Sequence, residues 1–481
     1  MDYIEGFDRR QEILFPAKID DYIGEENLVH FIEAFVALLD LIGLGFTHAE
    51  LKPTGRPSYN PADLLKLYIY GYLNCIRSSR KLEKECFRNV EVMWLLKKLA
   101  PDHKTIADFR KNNAAAIKKV FKEFVLFSKE LDLYGGEVVS IDGSKYKAVN
   151  SKKRNFNAEK LLRKLKDIEE KIEAYLKELE ENDKIESSIK LPNAKELNEK
   201  IQQLEKRKSE YEELQKTLEA TGETQVSLTD PDSRMMMGNQ KFDVSYNVQA
   251  TIDAKNNLVL DFEVTNEGND KNQLDKMASR AKEILEVESL EVLADKGYYN
   301  PEEIRKCSQN NTIPLIPEPK PKQFKEGNVP EPKFYENQFK YDAGMDVYTC
   351  PGGRELAYSD ESIKNNKIMR EYKSNNCNSC EFKSKCTSNK NGRVIFRWEH
   401  EKVLEDMRER VKNNPDIIRK RNCMSEHPFG TMKRGFNQGY FLLKGLVKVG
   451  GEMGLTMLAY NIRRVVNILG MNKLMEIMTP G

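Results

Sequence analysis

The sequence predicts an α/β protein in which a mixed sheet with flanking helices follows a helical region. Three observations support this: apolar residues at helical spacing before residue 130, alternating apolar residues after it, and a strand–helix alternation over residues 258–316. Hydrophobic residues make up 39% of the 481 residues and charged residues 32%, a composition typical of a soluble globular chain.

Residues 1–130 are predicted to form a helical DNA-binding domain. The pair Asn60-Pro61 is a typical helix start, and a further helix is expected to begin near Asp102. Short helices with exposed Arg and Lys suit a helix-turn-helix DNA reader. The same pattern suits any small helical bundle.

Residues 131–157 are predicted to begin the sheet, and residues 158–220 to interrupt it. An apolar run over residues 138–141 is predicted to be a strand that ends at Asp142. Leu and Ile then recur at heptad spacing on both sides of a turn at residues 187–193. This pattern predicts an antiparallel coiled-coil hairpin that serves as a spacer or a dimerisation arm.

Residues 221–325 are predicted to continue the sheet. Alternating stretches at 242–248 and 258–264 flank a turn, and a helix, a strand, a helix and a strand follow. The first strand of this alternation ends on an acid, Asp295.

Asp142 and Asp295 are therefore candidate metal ligands. Parallel strands joined by helices can place their carboxyl ends side by side, where two carboxylates repel each other. Mg²⁺ removes such repulsion, because it binds one or two carboxylates together with water and phosphate oxygens. A simple turn is the alternative interpretation of Asp142-Gly143.

A third carboxylate, Glu426, is surrounded by basic residues. Arg419, Glu426 and Lys433 are seven residues apart and would share one face of a helix, although Pro428 and Gly430 predict a break there. A surface ion pair is the alternative role for Glu426.

The last quarter of the chain is basic. Residues 401–481 contain 14 Lys/Arg against 8 Asp/Glu, and residues 361–400 contain 9 against 4. Such a local excess is typical of a phosphate-binding surface, although the net charge of the whole chain is only +2.

Four of the eight cysteines are clustered within the predicted insertion at residues 326–400. Cys350 begins a Cys-Pro-Gly-Gly sequence, Cys377 and Cys380 form a Cys-x2-Cys pair, and Cys386 follows. The spacing predicts a structural zinc site, with free thiols or an iron–sulfur cluster as alternatives. Trp398, just beyond the cluster, is predicted to pack in a core rather than stack on a base.

Several motifs together resemble the bacterial insertion-sequence transposases of the DDE class. They are "SIDGSK" at Asp142, "LTDPDSRMM", "YNVQATID", "EVTNEGNDKNQL", "LADKGYY" at Asp295, and "EHPFGTMKRGF" with "YFLLKGL" around Glu426. The resemblance implies an RNase H-like catalytic domain, which residues 401–481 complete with helices. It also implies that Asp142, Asp295 and Glu426 bind Mg²⁺ or Mn²⁺, and that Lys433 contacts DNA phosphate.

The sequence departs from the related pattern near the third acid. That pattern often has an Arg four residues before the Glu and a Tyr three residues before that, where this chain has Asn422 and Arg419. Arg419 and Arg421 are expected to contact phosphate instead, together with Arg434. His427 is predicted to be structural.

The "TDPDSR" motif is predicted to be a loop near the site. Asp230 and Asp232 offer carboxylates, but Asp-Pro-Asp-Ser is also a typical turn and helix-start sequence. Arg234 is a candidate DNA contact.

The implied activity is metal-dependent phosphoryl transfer on DNA, in which element ends are cut and the freed 3′-hydroxyls attack target DNA. The implied partners are double-stranded DNA (terminal inverted repeats and target) and a second copy of the chain, because two ends are joined at once. The alternatives are a catalytically silent DNA-binding protein and a nuclease that cuts without joining. No signal peptide or long apolar stretch is apparent, so a cytoplasmic, nucleoid-associated location without membrane contact is expected.

Overall fold

The computed structural model describes residues 18–50, 57–184, 194–238, 241–319 and 330–478, which form a mixed α/β structure. The chain divides into two compact units: Met1–Gly135, Gly143–Gly268 and Glu426–Gly481 form the first, and Gly136–Asp142 and Asn269–Ser425 the second. The predicted turn at residues 187–193 lies outside the described residues. Within the described ranges, no helix is long and apolar enough to cross a membrane.

The region before the first strand is helical, as predicted. Asn60 caps one helix by accepting a hydrogen bond from the backbone N–H of Ala62, and Pro61 occupies its first turn. Asp102 caps another through the N–H groups of Lys104 and Thr105. The helices are α1 (Leu28–Ala37), α2 (Leu41–Leu44), α3 (Pro61–Leu73), α4 (Ser79–Arg88), α5 (Val90–Leu95), α6 (His103–Asn112) and α7 (Ala114–Glu130).

A pair of long helices is inserted after the first strand, β1 (Val138–Lys147). Leu161 packs with Leu218, and Lys208 Nζ lies 2.7 Å from Glu169 Oε1, so the two helices run antiparallel as predicted. A short two-stranded ribbon closes their base. The inserted elements are β2 (Asn155–Asn157), α8 (Ala158–Lys184), α9 (Ala194–Thr221) and β3 (Gln225–Ser227).

The sheet half of the first unit is built on a central antiparallel strand. The strands that follow the insert are β4 (Arg234–Met237), β5 (Phe242–Asp253) and β6 (Val259–Thr265). Strand β5 pairs antiparallel with β4 and β6, and β1 is its neighbour in the sheet. The predicted strand–turn–strand over residues 242–264 is confirmed.

The second unit contains the predicted strand–helix alternation. Its elements are α10 (Leu274–Leu285), β7 (Leu290–Leu293), α11 (Pro301–Gln309) and β8 (Thr312–Leu315). The first residues of β1 pair parallel with β7, and β7 pairs parallel with β8. The sheet therefore has the order β4–β5–β1–β7–β8, with β6 paired to β5.

A separate antiparallel sheet occupies the cysteine-containing region. Its core contains Phe339, Tyr348, Leu356, Tyr372 and Ile395, and the ring of Trp398 is buried as expected. The region thus has a small apolar core of its own, which the sequence did not predict. The elements are β9 (Lys340–Asp342), β10 (Val347–Thr349), β11 (Glu355–Lys364), β12 (Lys367–Lys373), α12 (Lys383–Cys386) and β13 (Val394–Trp398).

The chain ends in helices α13 (Glu401–Asn413), α14 (Pro415–Gly430), α15 (Leu446–Leu469) and α16 (Met471–Met478). The predicted break is wrong for Pro428, because α14 continues through this residue, but the regular helix does end at Gly430. A π-helical turn, Thr431–Gly435, follows directly.

Two acids of the "TDPDSR" motif cap helix α15, although they precede it by more than 200 residues in the sequence. Asp230 Oδ1 accepts hydrogen bonds from the hydroxyl of Tyr246 (2.7 Å) and the N–H of Gly445 (3.0 Å), and Asp232 Oδ2 accepts from the N–H of Leu446 (2.9 Å). These N–H groups lie at the start of α15, where a negative charge is stabilised. The motif is the predicted turn, but it caps a distant helix and is followed by a strand.

The loop between the π-helical turn and α15 is held by buried charges. Glu452 accepts hydrogen bonds from the N–H groups of Leu442 and Leu443, both at 2.9 Å, and lies 3.6 Å from Arg77. Arg77 donates to the carbonyl oxygen of Tyr440 at 2.7 Å. The loop therefore has one defined path between Glu426 and α15.

Helices α7 and α15 approach closely at a glycine. A Cβ atom at Gly451 would lie 2.5 Å from the Cα and carbonyl oxygen of Ala114, whereas a Cβ atom at the neighbouring Gly450 would meet nothing within 4 Å. Gly451 is therefore required for this contact, and Gly450 is not.

We predict opposite effects for two adjacent substitutions in α15. Gly451→Ala should lower the free energy of unfolding by about 1–3 kcal/mol, because the added methyl group overlaps α7. Gly450→Ala should raise it by about 0.5–1 kcal/mol through helix propensity. Urea unfolding followed by circular dichroism measures both, and equal effects would contradict the packing described.

We predict that Asp230 tolerates Asn better than Ala. Asp230→Ala leaves buried donors of Tyr246 and Gly445 without an acceptor and should cost about 2 kcal/mol, whereas Asn retains Oδ1. Burial raises the pKa of Asp230 above its ordinary value of 3.8. The free energy of unfolding of the wild type should therefore fall relative to that of Asp230→Asn as the pH rises above 3.8, because the buried carboxyl ionises. Thermal unfolding between pH 4 and 7 tests this, and a difference that does not change with pH would contradict it.

Candidate active site

Asp142 and Asp295 occupy equivalent positions on neighbouring parallel strands of the second unit. Ser140 of β1 is paired with Leu293 of β7, and each acid follows its paired residue by two positions. Side chains alternate along a strand, so Asp142 shares a face with Ser140. Asp295 continues in extended conformation (φ −81°, ψ 172°). Each acid therefore lies two residues beyond the last printed pair of two strands that are about 4.8 Å apart.

The predicted strand end at Asp142 is wrong. Strand β1 continues to Lys147, and Asp142 is a half-buried residue in its middle. The second half is held within the first unit, where the N–H of Lys147 donates to the carbonyl of Gly439 and the N–H of Phe441 donates to the carbonyl of Lys147. Asp142-Gly143 is therefore extended backbone rather than a turn.

Strand β7 ends at Leu293, so Asp295 lies two residues beyond the strand that was predicted to end on it. Its Oδ1 accepts a hydrogen bond from the N–H of Gly297 at 2.7 Å, which caps a single helical turn. Tyr298 in this turn is fully buried. One carboxylate oxygen of Asp295 thus orients the side chain, and Asn at this position could make the same bond.

Glu426 is an exposed residue of α14. Its neighbour His427 places Nδ1 3.0 Å from the hydroxyl of Tyr460, which itself donates to the carbonyl of Asn257 at 2.9 Å. Partial desolvation and the charge of Arg464 lower the pKa of His427. The hydrogen bond to Tyr460 links α14 to α15, while the side chains of His427 and Glu426 both remain exposed.

Lys433 contacts β1 within the first unit. Its Nζ donates to Ser144 Oγ at 2.6 Å and to the carbonyl of Lys145 at 2.9 Å, and lies 4.7 Å from the centre of the Tyr146 ring. Lys433 belongs to the π-helical turn, so its sequence spacing of seven from Glu426 does not place it on a face of α14.

The other basic candidates differ in their surroundings. Arg419 is exposed and lies 3.8 Å from Asp416, and Arg434 is exposed as well. Arg421 donates to the side chain of the adjacent Asn422. Arg234 forms an ion pair with Glu223 at 2.7 Å, and only 12% of its side chain is exposed.

The four clustered cysteines line one cavity of about 30 Å³ in the second unit. The N–H of Arg354 donates to Cys350 Sγ at 3.3 Å, which closes the Cys-Pro-Gly-Gly turn around the sulfur. Burial raises the pKa of Cys386, and the other three cysteines add to this effect. All eight cysteines are free thiols.

The donor atoms are not arranged as a finished metal site. Among the residues that the structure describes, no group of three or more His, Cys, Asp or Glu side chains is placed to hold a metal ion. The donor chemistry nevertheless fits the two expected ions, since paired carboxylates suit Mg²⁺ and four thiols suit Zn²⁺.

The sequence did not reveal Arg77 and Glu452, or that Asp230 and Asp232 cap α15. Each of these residues acts on a partner that is distant in sequence. The only local signal was the helix-start character of Asp-Pro-Asp-Ser, which pointed to the residues directly after it.

Two family profiles match the chain. A transposase domain (DUF772) matches residues 17–112, which include helices α1 to α6, and a transposase DDE domain matches residues 349–466, which include the cysteine cluster, Glu426 and Lys433.

One solved structure has a similar chain, the cryo-EM structure of the piggyBac transposase synaptic complex with hairpin DNA. The match covers 94% of this chain and 80% of that chain, with 9% identity and a TM-score of 0.30, which is too low to carry an argument. No curated protein matches the chain. The two family profiles confirm the resemblance to the insertion-sequence DDE transposases.

Proposed function

We propose that this chain is a DNA transposase that cuts the ends of its own element and joins the freed 3′-hydroxyls to target DNA. The observation that supports the proposal is the parallel pairing of β1 with β7, in which Asp142 and Asp295 each follow the paired residues Ser140 and Leu293 by two positions. The match of a transposase DDE domain to the segment containing Glu426 supports the third acid.

In this proposal Asp142, Asp295 and Glu426 bind two divalent ions, Mg²⁺ or Mn²⁺. Bound ions of this kind lower the pKa of water, and they stabilise the attacking and leaving oxygens of a phosphodiester. The residues of the chain supply orientation: the Gly297 N–H holds one oxygen of Asp295, and the pairing with β7 holds β1. No side chain forms a covalent intermediate.

The basic residues bind the DNA backbone in this proposal. Arg419 and Arg434 are exposed and available to phosphate, and Arg421 is a further candidate. For Lys433 the bonds to Ser144 and Lys145 suggest an additional role, namely to orient β1 beside bound DNA. Arg234 would have to leave Glu223 before it could contact phosphate.

The proposed catalytic domain is RNase H-like. A meander formed by β1, β5 and β6, followed by the parallel strands β7 and β8, supports the arrangement that the family resemblance implies. The proposed assembly is a homodimer on DNA, because two element ends react together. The helical hairpin α8–α9 is the candidate dimerisation arm.

We predict that Asp142→Asn, Asp295→Asn and Glu426→Gln each reduce cleavage of a labelled element-end duplex at least about a hundredfold, because a metal contributes several kcal/mol to transition-state stability. These amides conserve size, and Asn at position 295 can still accept from Gly297, so folding and DNA binding should be retained. The matched control is Asp416→Asn, an exposed carboxylate of α14, which should cut normally.

The outcomes separate the competing functions. A variant of one acid that cuts at the wild-type rate would remove that residue from the site. A wild type that binds the duplex and never cuts with Mg²⁺ would indicate the silent DNA-binding protein. A wild type that cuts but never joins the 3′-hydroxyl to a second duplex would indicate the nuclease.

We also propose that the cysteine cluster binds a structural Zn²⁺. The convergence of Cys350, Cys377, Cys380 and Cys386 on one cavity supports this. Because the surrounding sheet has its own apolar core, the metal would stabilise this region without being its only source of folding energy.

We predict about one Zn²⁺ per chain in protein purified without chelator, measured by inductively coupled plasma mass spectrometry. Cys377→Ser combined with Cys380→Ser should abolish it, because two ligands cannot retain structural zinc. Cys75→Ser combined with Cys423→Ser removes two exposed thiols outside the cluster and should retain the metal. Absence of zinc from the wild type would favour free thiols.

A further inference from the structure

Helix α4 presents a basic face with one exposed aromatic residue. Arg80, Lys81, Lys84 and Arg88 are all exposed, and Phe87 beside them has 67% of its surface exposed. Phe87 is the most exposed aromatic side chain among the described residues, and it lies beside these cations.

The acids of α4 do not neutralise this face. Glu85 is buried and accepts a hydrogen bond from Arg88 Nε at 2.9 Å, and Glu83 is half-buried with one oxygen 3.0 Å from His103 Nδ1. Among the described residues, none forms an ion pair with Arg80, Lys81 or Lys84. The cations of the first two turns are therefore available to an external anion.

The opposite face of α4 holds it rigidly. Leu82 and Cys86 are buried, and α4 packs against α6 and α5. Helix α3 precedes it through residues 74–78, where Cys75 has a positive φ of 61°. Two helices joined by such a tight turn, with the second one exposed, have the layout of a helix-turn-helix.

The start of α4 is connected to the loop that follows the π-helical turn. Arg77 donates to the carbonyl of Tyr440, and Cys75 Sγ lies 3.6 Å from the carbonyl oxygen of Gly435. Arg110 supports this arrangement by donating to the carbonyl of Arg77 at 3.1 Å. DNA bound by α4 would thus have a defined position relative to Lys433 and Arg434 in the same unit.

We propose that α4 is the recognition helix that enters the major groove of element-end DNA, with Arg80, Lys81 and Lys84 on backbone phosphates and Phe87 against base edges. The major groove admits an α-helix, and apolar side chains read the thymine methyl group there. Ten residues of helix span about 15 Å, or roughly four base pairs. This assignment rests on the proposed transposase function and adds the helix that reads sequence.

The test compares the affinity of the full-length protein for two duplexes, an element-end duplex and a scrambled duplex of equal length. Phe87→Ala should weaken binding to the end duplex about tenfold or more and leave the scrambled duplex unaffected, because only base contacts depend on sequence. Phe242→Ala is the matched control, since Phe242 is 55% exposed outside this helix.

Removal of the three cations should affect DNA binding differently from Phe87→Ala. Arg80→Ala, Lys81→Ala and Lys84→Ala together should weaken binding to both duplexes and lower the slope of log affinity against log salt by about two to three. The control is the triple change Lys276→Ala, Lys340→Ala and Lys390→Ala at exposed positions outside α4 and the helical hairpin, with the same loss of charge. Circular dichroism verifies that every variant is folded.

Each outcome has a separate meaning. If the wild type prefers and cuts the end duplex while the α4 variants bind as well as their controls, the recognition-helix assignment is overturned and the transposase function stands. If the wild type binds neither duplex, the proposed function is overturned together with the assignment.

Discussion

The parallel pairing of β1 with β7 is the constraint on which the candidate active site depends. Three consecutive residues of each strand are in register, from Val138 with Glu291 to Ser140 with Leu293. A slip of one residue would turn Asp142 to the opposite face of the sheet. Val139, Ser140 and Ile141 are fully buried on the two faces of the strand, so such a slip would also disrupt the packing on both faces. Core packing and placement of the acids are therefore set by the same interaction.

A second set of contacts supports the other half of β1. Glu452, Arg77 and Asp230 hold the loop before α15 by hydrogen bonds to its backbone, and this loop pairs with Lys147 at the end of β1. These side chains are buried and each bonds to the backbone of the loop, which makes them costly to remove. The same loop contacts the segment just before α4, so one structural element positions both Lys433 and the proposed DNA-reading helix.

Local sequence patterns predicted the alternation of strands and helices well. Asn60, Asp102 and Asn300 cap helices through their own nearby backbone, which is why those starts could be predicted. The predictions failed where tertiary contacts override local preference. Asp142-Gly143 is a common turn pair, but pairing on both sides of β1 keeps it extended. Strand β11 is mostly exposed and polar, so its sequence contains no alternation to reveal it.

For the site, the sequence identified the two acids on neighbouring strands, because each follows an apolar run. It could not identify the support from Arg77, Asp230 and Glu452, since no local pattern reports a partner more than 200 residues away. The seven-residue spacing from Glu426 to Lys433 was misleading for a different reason: Lys433 lies in a π-helical turn, which the residues alone do not predict, and it contacts β1.

The central claim is that Asp142 and Asp295 bind the metal ion that promotes DNA cleavage. A change in the chemistry of one of these metal-binding side chains tests this claim most directly. Asp295→Cys offers a soft thiolate in place of a hard carboxylate, which disfavours Mg²⁺ more than Mn²⁺. Cleavage of the element-end duplex would be measured with each ion for this variant, for the wild type and for Asp295→Ala. The account predicts that Asp295→Cys is inactive with Mg²⁺ and regains activity with Mn²⁺, whereas Asp295→Ala stays inactive with both. Equal activity of the Cys variant with the two ions, at the wild-type level, would contradict it.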